Sequence, residues 1–251
     1  MTLPEIAKQT LALIDLTTLN DNDSDKTVLE LCQNSQTEFG SVAAVCILRQ
    51  FIPLAKRYFS AKQLEIKIAS VSNFPAGDED LALALRETQE ALDLGADEVD
   101  IVFPYRALLA GNQQIGAEMI RQAKQICGLK TLKVIIESGV LQTPRLIELA
   151  SNIAIENGAD FIKTSTGKAT LNATLEATEI MLQSIKRSGK NCGFKAAGGI
   201  RLVSEAQEYL ALAERIMGKN WLNSANFRFG ASSLLADVLN ILRENEACKN
   251  G

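Results

Sequence analysis

The chain has 251 residues, 47% of them hydrophobic and 22% charged, which is the composition of a globular protein long enough to bury a large core. It carries 30 acidic residues against 26 lysines and arginines, a formal charge of −4, and no block of like charges, so we expect neither a nucleic-acid partner nor a membrane-surface partner. No histidine is present, which excludes histidine-based catalytic triads and imidazole metal sites.

Cysteine usage predicts a reducing compartment. The 5 cysteines are odd in number and form no C-x-x-C pair, which disfavours both a disulfide framework and a zinc ribbon. The first residues lack the basic start and apolar run of a secretory signal, and no stretch approaches the roughly 18 apolar residues of a membrane helix. We therefore expect a cytoplasmic protein with free thiols.

Short apolar runs rich in β-forming residues alternate with longer helix-like segments, a pattern typical of repeated βα units and a parallel sheet. The runs predicted as strands cover residues 11–16, 42–48, 66–71, 98–103, 132–137, 160–163, 193–195 and 227–230. The segments predicted as helices, with apolar residues three and four apart, cover residues 25–34, 51–59, 79–94, 114–126, 144–157, 175–188, 203–217 and 233–243. We predict one domain over residues 1–251, an α/β fold that closes into a (β/α)8 TIM barrel after a short N-terminal helical segment; an open doubly wound sheet is the alternative.

Charged residues interrupt several predicted strands where apolar residues are expected. They are Asp15, Asp100, Lys133, Glu137, Lys163 and Lys195. Each one alone could simply begin or end a strand in solvent. A barrel enzyme, however, builds its site at the carboxyl ends of its strands. Side chains alternate between the two faces of a strand, so Lys133 and Glu137 are expected on one face, and an inward register would bring Asp100, Lys133 and Lys163 together.

Lysines clustered inside an apolar barrel predict a nucleophilic amine. Desolvation and a neighbouring ammonium both lower the pKa of a lysine, toward about 7–8, and the neutral amine attacks carbonyl carbon. Lys163 follows the apolar residues Ala159, Phe161 and Ile162 and is the predicted nucleophile, with Lys195 as its cationic neighbour. Asp100 could then move protons or hold a hydroxyl group and a water. Together these residues predict a Schiff-base lyase.

Glycine and hydroxyl residues follow the last three predicted strands, in S-T-G-K (165–168), A-G-G-I-R (197–201) and F-G-A-S-S (229–233). Glycines let the backbone approach an anion, and the following helix can direct free amides toward it. Turns and helix caps explain any one segment, but the three together predict a phosphate site. S-T-G-K is not a P-loop, because Ile162 and Ala169 replace the required glycine and Ser/Thr. Cys46 is predicted as a core residue that could touch a ligand at its strand end.

Five segments in this order resemble the deoxyribose-phosphate aldolase family of class I aldolases. They are E-V-D-I-V-F-P (98–104), K-V-I-I-E-S-G (133–139), A-D-F-I-K-T-S-T-G-K (159–168), G-F-K-A-A-G-G-I-R (193–201) and R-F-G-A-S-S (228–233). The resemblance implies reversible cleavage of 2-deoxyribose 5-phosphate into acetaldehyde and glyceraldehyde 3-phosphate, in deoxynucleoside catabolism. It implies no metal and no organic cofactor, and it allows a homodimer, although the sequence does not decide the oligomeric state.

The same resemblance implies a set of site residues. Lys163 matches the family's Schiff-base lysine, and Asp100 and Lys195 match its proton-shuttling pair. The phosphate-binding loops match Gly167, Lys168, Gly198, Gly199, Arg201, Gly230, Ser232 and Ser233, and the pocket-lining residues match Asp15, Cys46 and Lys133. Two positions depart from the family. Leu16 stands where many relatives have a histidine, and the chain ends in C-K-N-G where some relatives end in a tyrosine, which leaves the role of the tail in proton transfer open.

Two other functions fit part of this pattern. A non-catalytic barrel that binds a phosphorylated metabolite needs the glycine loops but not Lys163, Lys195 and Asp100 together. Another Schiff-base aldolase, which transfers dihydroxyacetone or acts on longer sugars, would use the same lysine on different substrates. A metal-dependent aldolase is disfavoured because histidine ligands are absent.

Overall fold

The computed structural model describes residues 1–250, so Gly251, the last residue of the C-K-N-G tail and of the predicted domain, lies outside the described residues. Within that range eight parallel strands close into a barrel, in which the first strand pairs with both the second and the last barrel strand. The barrel strands are β1 (Ile14–Thr17), β4 (Ala44–Ile47), β5 (Lys67–Ser72), β6 (Glu98–Val102), β7 (Thr131–Ile135), β8 (Phe161–Lys163), β9 (Gly193–Ala197) and β10 (Phe227–Ala231). The remaining strands, β2 (Gln36–Thr37) and β3 (Gly40–Ser41), form a small antiparallel hairpin. The predicted (β/α)8 barrel is therefore confirmed.

Helices follow the barrel strands and surround them. Across the described residues they are α1 (Leu3–Leu11), α2 (Asp25–Asn34), α3 (Ile52–Lys62), α4 (Leu81–Asp93), α5 (Tyr105–Leu109), α6 (Gln114–Cys127), α7 (Ser138–Leu141), α8 (Pro144–Glu156), α9 (Leu175–Ser188), α10 (Val203–Met217) and α11 (Leu234–Asn250). Several begin where the sequence supplies a capping side chain: Ser24 accepts a hydrogen bond from Thr27, and Thr174 accepts one from Ala177. None of these helices is both long and apolar enough to cross a lipid bilayer.

All eight predicted strands differ from the observed strands by one to three residues at one or both ends, and two of these differences change the conformation assigned to a residue. The segment 11–16 begins too early, because Leu11 is the last residue of α1 and the strand starts at Ile14. The segment 132–137 ends too late, because Glu137 has a left-handed backbone with φ of 55° and precedes α7. Glu137 therefore does not share a strand face with Lys133. Its backbone turns out of the sheet, and its carboxylate instead accepts hydrogen bonds from Thr166.

Most of the apolar core lies between the outer face of the barrel and the helices. Phe227 and Phe229 of β10 stack edge-on with ring centroids 4.9 Å apart, and Tyr209 of α10 packs against Phe229 at 6.4 Å. A second, small apolar cluster is separate from this core and consists of Leu19, Cys46, Ala69 and Val71. The rest of the barrel interior contains charged side chains, and the candidate site lies among them.

Candidate active site

Strand register places the predicted lysines and aspartate on neighbouring strands. Asp100 of β6 pairs with Lys133 of β7, and Lys163 of β8 pairs with Lys195 of β9. Lys195 in turn pairs with Arg228 of β10. All five side chains are buried, with Lys163 2% exposed and Asp100 fully buried. The structure thus brings Asp100, Lys133, Lys163 and Lys195 together inside the barrel.

Ion pairs across the barrel join seven buried charged groups into one network. Asp100 accepts hydrogen bonds from Lys133 on one carboxylate oxygen at 2.8 Å, and from Lys163 at 2.8 Å and Lys195 at 2.9 Å on the other. Asp15 pairs with Lys195 at 2.5 Å and with Arg228 at 2.6 Å, and lies 3.6 Å from Lys133. Glu98 completes the network by pairing with Lys133 and with Arg228.

The charges of this network do not balance when every group is ionised. It contains four cations, which are Lys133, Lys163, Lys195 and Arg228. It contains three anions, which are Asp15, Glu98 and Asp100. Burying an excess charge is costly, so loss of one proton from one lysine stabilises the network. Lys163 is the lysine with the fewest partners: it pairs with Asp100 alone, whereas Lys195 has two carboxylate partners and Lys133 has three.

The pKa shifts of the three lysines agree with the number of carboxylate partners that each one has. Burial lowers the pKa of Lys163, Asp100 opposes that effect, and the ammonium of Lys195 adds to it, with a net decrease. Burial also acts on Lys195 and Lys133, but the attraction of their carboxylate partners outweighs it and raises both pKa values. The three lysines hold the pKa of Asp100 well below its usual range despite its burial. Among the three lysines of the cluster, Lys163 is therefore the one that loses its proton most readily.

Lys163 is also the lysine of the network that reaches a cavity. This cavity, of about 340 Å³, opens at the carboxyl ends of β1, β8, β9 and β10. Nine of the predicted site residues line it, and they are Lys163, Gly167, Lys168, Gly198, Gly199, Arg201, Gly230, Ser232 and Ser233. An amine at the floor and glycine-rich loops at the rim are what a carbonyl compound bearing a phosphate would require.

Three residues expected to line the pocket do not line this cavity. Asp15 and Lys133 are fully buried, and their partners are the other charges of the network. Cys46 is fully buried in the small apolar cluster beside the network, and burial raises the pKa of its thiol. Asp100, which accepts a hydrogen bond from Lys163, and Lys195, which pairs with Lys163 in the sheet register, are likewise fully buried and do not line the cavity.

The glycine-rich rim has backbone geometry suited to an anion. Gly198 has a φ of 84° and lies so close to Asn172 that an added Cβ would stand 2.7 Å from that side chain, so only glycine fits. Nearby, Glu205 accepts hydrogen bonds from the amides of Arg201 and Leu202. Among the described residues the amides of Gly199, Ile200, Ser232 and Ser233 donate to no protein acceptor, so the rim has free amide donors of the kind that bind an anion.

A family model described as DeoC/LacD family aldolase matches residues 10–240. The chain belongs to this aldolase family. Solved structures agree with that assignment. A protein from Toxoplasma gondii ME49, provisionally named a deoxyribose-phosphate aldolase, superposes with a TM-score of 0.88 at 22% identity, over 96% of this chain and 95% of that one. A deoxyribose phosphate aldolase from Aeropyrum pernix, described as tetrameric, superposes with a TM-score of 0.74 at 23% identity, over 97% and 93% of the two chains. At these identities both comparisons show the shared fold.

A third structure, QR15, described as an aldolase, superposes on this DeoC/LacD family chain with a TM-score of 0.79 at 27% identity, covering 95% of this chain and 98% of that one. Membership of this family makes the chain an aldolase-type lyase. The tetramer reported for the Aeropyrum pernix protein concerns that protein, and the homodimer that the resemblance allows for this chain stays a prediction.

The sequence also holds site residues of this aldolase family barrel that were not predicted. Glu98 lies two residues before Asp100, and Arg228 two residues before Gly230, so strand alternation could have placed both inside the barrel. Thr18 and Asn20, in the loop after β1, and Asn172 line the cavity. Asn20 approaches Lys168 at 3.4 Å across the rim, a contact between residues far apart in sequence that no local motif indicates.

Proposed function

We propose that this protein is a class I deoxyribose-phosphate aldolase that reversibly cleaves 2-deoxyribose 5-phosphate into acetaldehyde and glyceraldehyde 3-phosphate. Family membership supports the reaction class, and the resemblance of its site segments supports the substrate. The observation that carries the proposal is the environment of Lys163: it shares one oxygen of Asp100 with Lys195, has a lowered pKa and opens into the cavity. A cytoplasmic role in deoxynucleoside catabolism is part of this proposal.

In the proposed reaction the neutral Nζ of Lys163 adds to the aldehyde carbon of the open-chain sugar, and loss of water gives an iminium ion. Asp100, acting through a water to which the Lys195 ammonium can donate a hydrogen bond, takes the proton from the hydroxyl group at the bond that breaks. The electrons of that carbon–carbon bond pass to the iminium and form an enamine, while glyceraldehyde 3-phosphate leaves as the aldehyde. The enamine carbon then takes up a proton, and hydrolysis releases acetaldehyde and the free amine.

The rim of the cavity would bind the substrate phosphate. Gly199, Ser232 and Ser233 supply free amides, and the hydroxyl groups of the two serines add donors. Lys168 and Arg201 also line the cavity and supply positive charge. Anchoring the phosphate at the rim fixes the reacting carbonyl at the floor, next to Lys163, and so converts binding energy into orientation.

Reductive trapping tests the nucleophile. Acetaldehyde and cyanoborohydride should attach a two-carbon adduct to Lys163, read by peptide mass, and deoxyribose 5-phosphate with cyanoborohydride should leave an adduct on the same lysine. Lys163→Met should abolish both the cleavage activity and the adduct. The matched control is Lys62→Met, which removes an exposed lysine of α3 and should change neither. An active Lys163→Met variant, or labelling at another buried lysine, would refute the assignment.

A substrate panel tests the reaction against the two alternatives. Acetaldehyde as donor with glyceraldehyde 3-phosphate as acceptor supports the proposed enzyme. Transfer of a dihydroxyacetone unit instead would indicate another Schiff-base aldolase of the family. Tight binding of a sugar phosphate with no adduct and no turnover would indicate a non-catalytic binding protein.

A further inference from the structure

Arg228 and Glu98 are two members of the buried network that the proposed reaction does not use. Their side chains pair at 3.1 Å at the amino-terminal end of the barrel interior, and neither lines the cavity of Lys163. Arg228 also donates to Asp15 at 2.6 Å and lies over the Phe161 ring at 5.7 Å. Its guanidinium stays ionised at any pH at which the protein is folded.

We propose that Arg228 is a positioning residue for the reaction, because its permanent charge gives the buried network one cation more than it has carboxylates and so leaves Lys163 as a neutral amine. This inference rests on the function proposed above, in which Lys163 is the nucleophile. Arg228 reaches Lys163 only through other residues: Arg228 pairs with Asp15, Asp15 with Lys195, and Lys195 shares an oxygen of Asp100 with Lys163.

The charge count predicts the effect of removing each partner. Without Arg228, three lysines face three carboxylates, and the network is balanced only when Lys163 is protonated. Without Glu98, four cations face two carboxylates, which favours the neutral amine more strongly. With neither residue, three lysines face two carboxylates, so one neutral lysine again balances the network, as in the wild type.

Several other titratable groups face Lys163, and none of them changes the balance of charges in the network. Lys163 is faced by Asp100 of β6, by Lys195 of β9, by the Cys46 thiol of β4 and by Glu137 after β7. The Cys46 thiol has a raised pKa and stays neutral. Among the described residues Glu137 pairs with none of the four cations; its carboxylate accepts hydrogen bonds from Thr166, and burial raises its pKa. Glu137 is unchanged in every variant below, so it cannot produce differences between them.

The test measures the protonation of Lys163 without any substrate. Formaldehyde and cyanoborohydride methylate neutral amines, so the rate at Lys163, quantified by peptide mass across a pH series, has a midpoint that reports its protonation. Exposed Lys62 is the internal reference in every sample. We expect Arg228→Met to raise the midpoint by about one pH unit or more, since charges within one buried network shift each other by that amount. Arg228→Lys keeps the charge and should leave the midpoint within about half a unit of the wild type.

Glu98→Gln should lower the midpoint, and the double variant Arg228→Met/Glu98→Gln should return it to within about half a unit of the wild-type value. A folded Arg228→Met protein with an unchanged midpoint, or a double variant that behaves like Arg228→Met, would overturn the inference. If Arg228→Met does not fold, as judged by circular dichroism, Glu98→Gln decides the matter: a lowered midpoint supports the inference, and an unchanged or raised one overturns it.

Failure of this inference and failure of the proposed function have different signatures. A wild type that cleaves no deoxyribose 5-phosphate and forms no acetaldehyde adduct refutes the function, while the methylation midpoints still report on Arg228. If the wild type is active but the methylation midpoint of Lys163 is the same in the Arg228 and Glu98 variants as in the wild type, only the inference is refuted.

Discussion

Replacing Lys195 with methionine removes one ammonium while keeping an unbranched side chain of similar length. Lys163 and Lys195 donate to the same oxygen of Asp100, at 2.8 Å and 2.9 Å. Hydrogen-bond geometry at one carboxylate oxygen then places the two nitrogens about 5 Å apart. At an effective dielectric constant of about 20, two unit charges at that separation repel by about 3 kcal/mol, which corresponds to about 2 pKa units.

Lys195→Met should therefore raise the pKa of Lys163 by about 2 units, because the repulsion is lost and Asp100 has one cation fewer to neutralise it. The assay is the rate of acetaldehyde trapping at Lys163 as a function of pH. Its midpoint should move to higher pH, and labelling at a pH well below both midpoints should fall by about a hundredfold. Lys190→Met, which removes an exposed cation outside the barrel, is the control and should leave the profile unchanged. A folded Lys195→Met protein with the wild-type profile would refute the electrostatic argument.

Three further predictions concern the rim, the barrel packing and the thiols. Ser233→Asp should raise KM for the phosphorylated sugar by about tenfold or more through charge repulsion, with little change for unphosphorylated deoxyribose; equal losses would place the phosphate elsewhere. Gly193→Ala puts a Cβ 2.5 Å from the Phe161 ring and should lower the free energy of unfolding by about 1–3 kcal/mol in urea titrations, whereas an unchanged midpoint would contradict the close packing. Of the 5 cysteines, Cys248 alone is exposed and should react with a thiol reagent in the native protein. Rapid native labelling at any other cysteine would contradict the observed burial.

The barrel could be predicted because two independent periodicities alternate along the chain. Apolar runs of strand length recur between segments with helical spacing, and a chain of this length closes such units into a barrel. The lysines of the site could be predicted for a related reason. A charged residue such as Lys163 or Lys195 in the middle of an apolar strand is costly unless partners neutralise it, and barrel closure supplies them.

The position of each side chain along the barrel axis could not be predicted from the sequence. Alternation tells which face of a strand a side chain occupies, but the relative shift of neighbouring strands decides whether it reaches the cavity or lies beneath it. Asp15 and Lys133 are inside the barrel, as the pattern required, yet they do not line the cavity. Glu98 was not predicted as a site residue because a charged residue at the start of a strand normally faces solvent. Glu137 was misplaced because a left-handed turn at a residue other than glycine has no sequence signal.

The network of seven buried charged groups limits how this protein can evolve or be redesigned. Because each carboxylate serves two or more cations, the effect of one exchange depends on which partners are still present, and single-site scans will record mostly harmful changes there. Strong epistasis is thus expected inside the barrel, and viable new combinations should be found by varying opposite charges together in the same library.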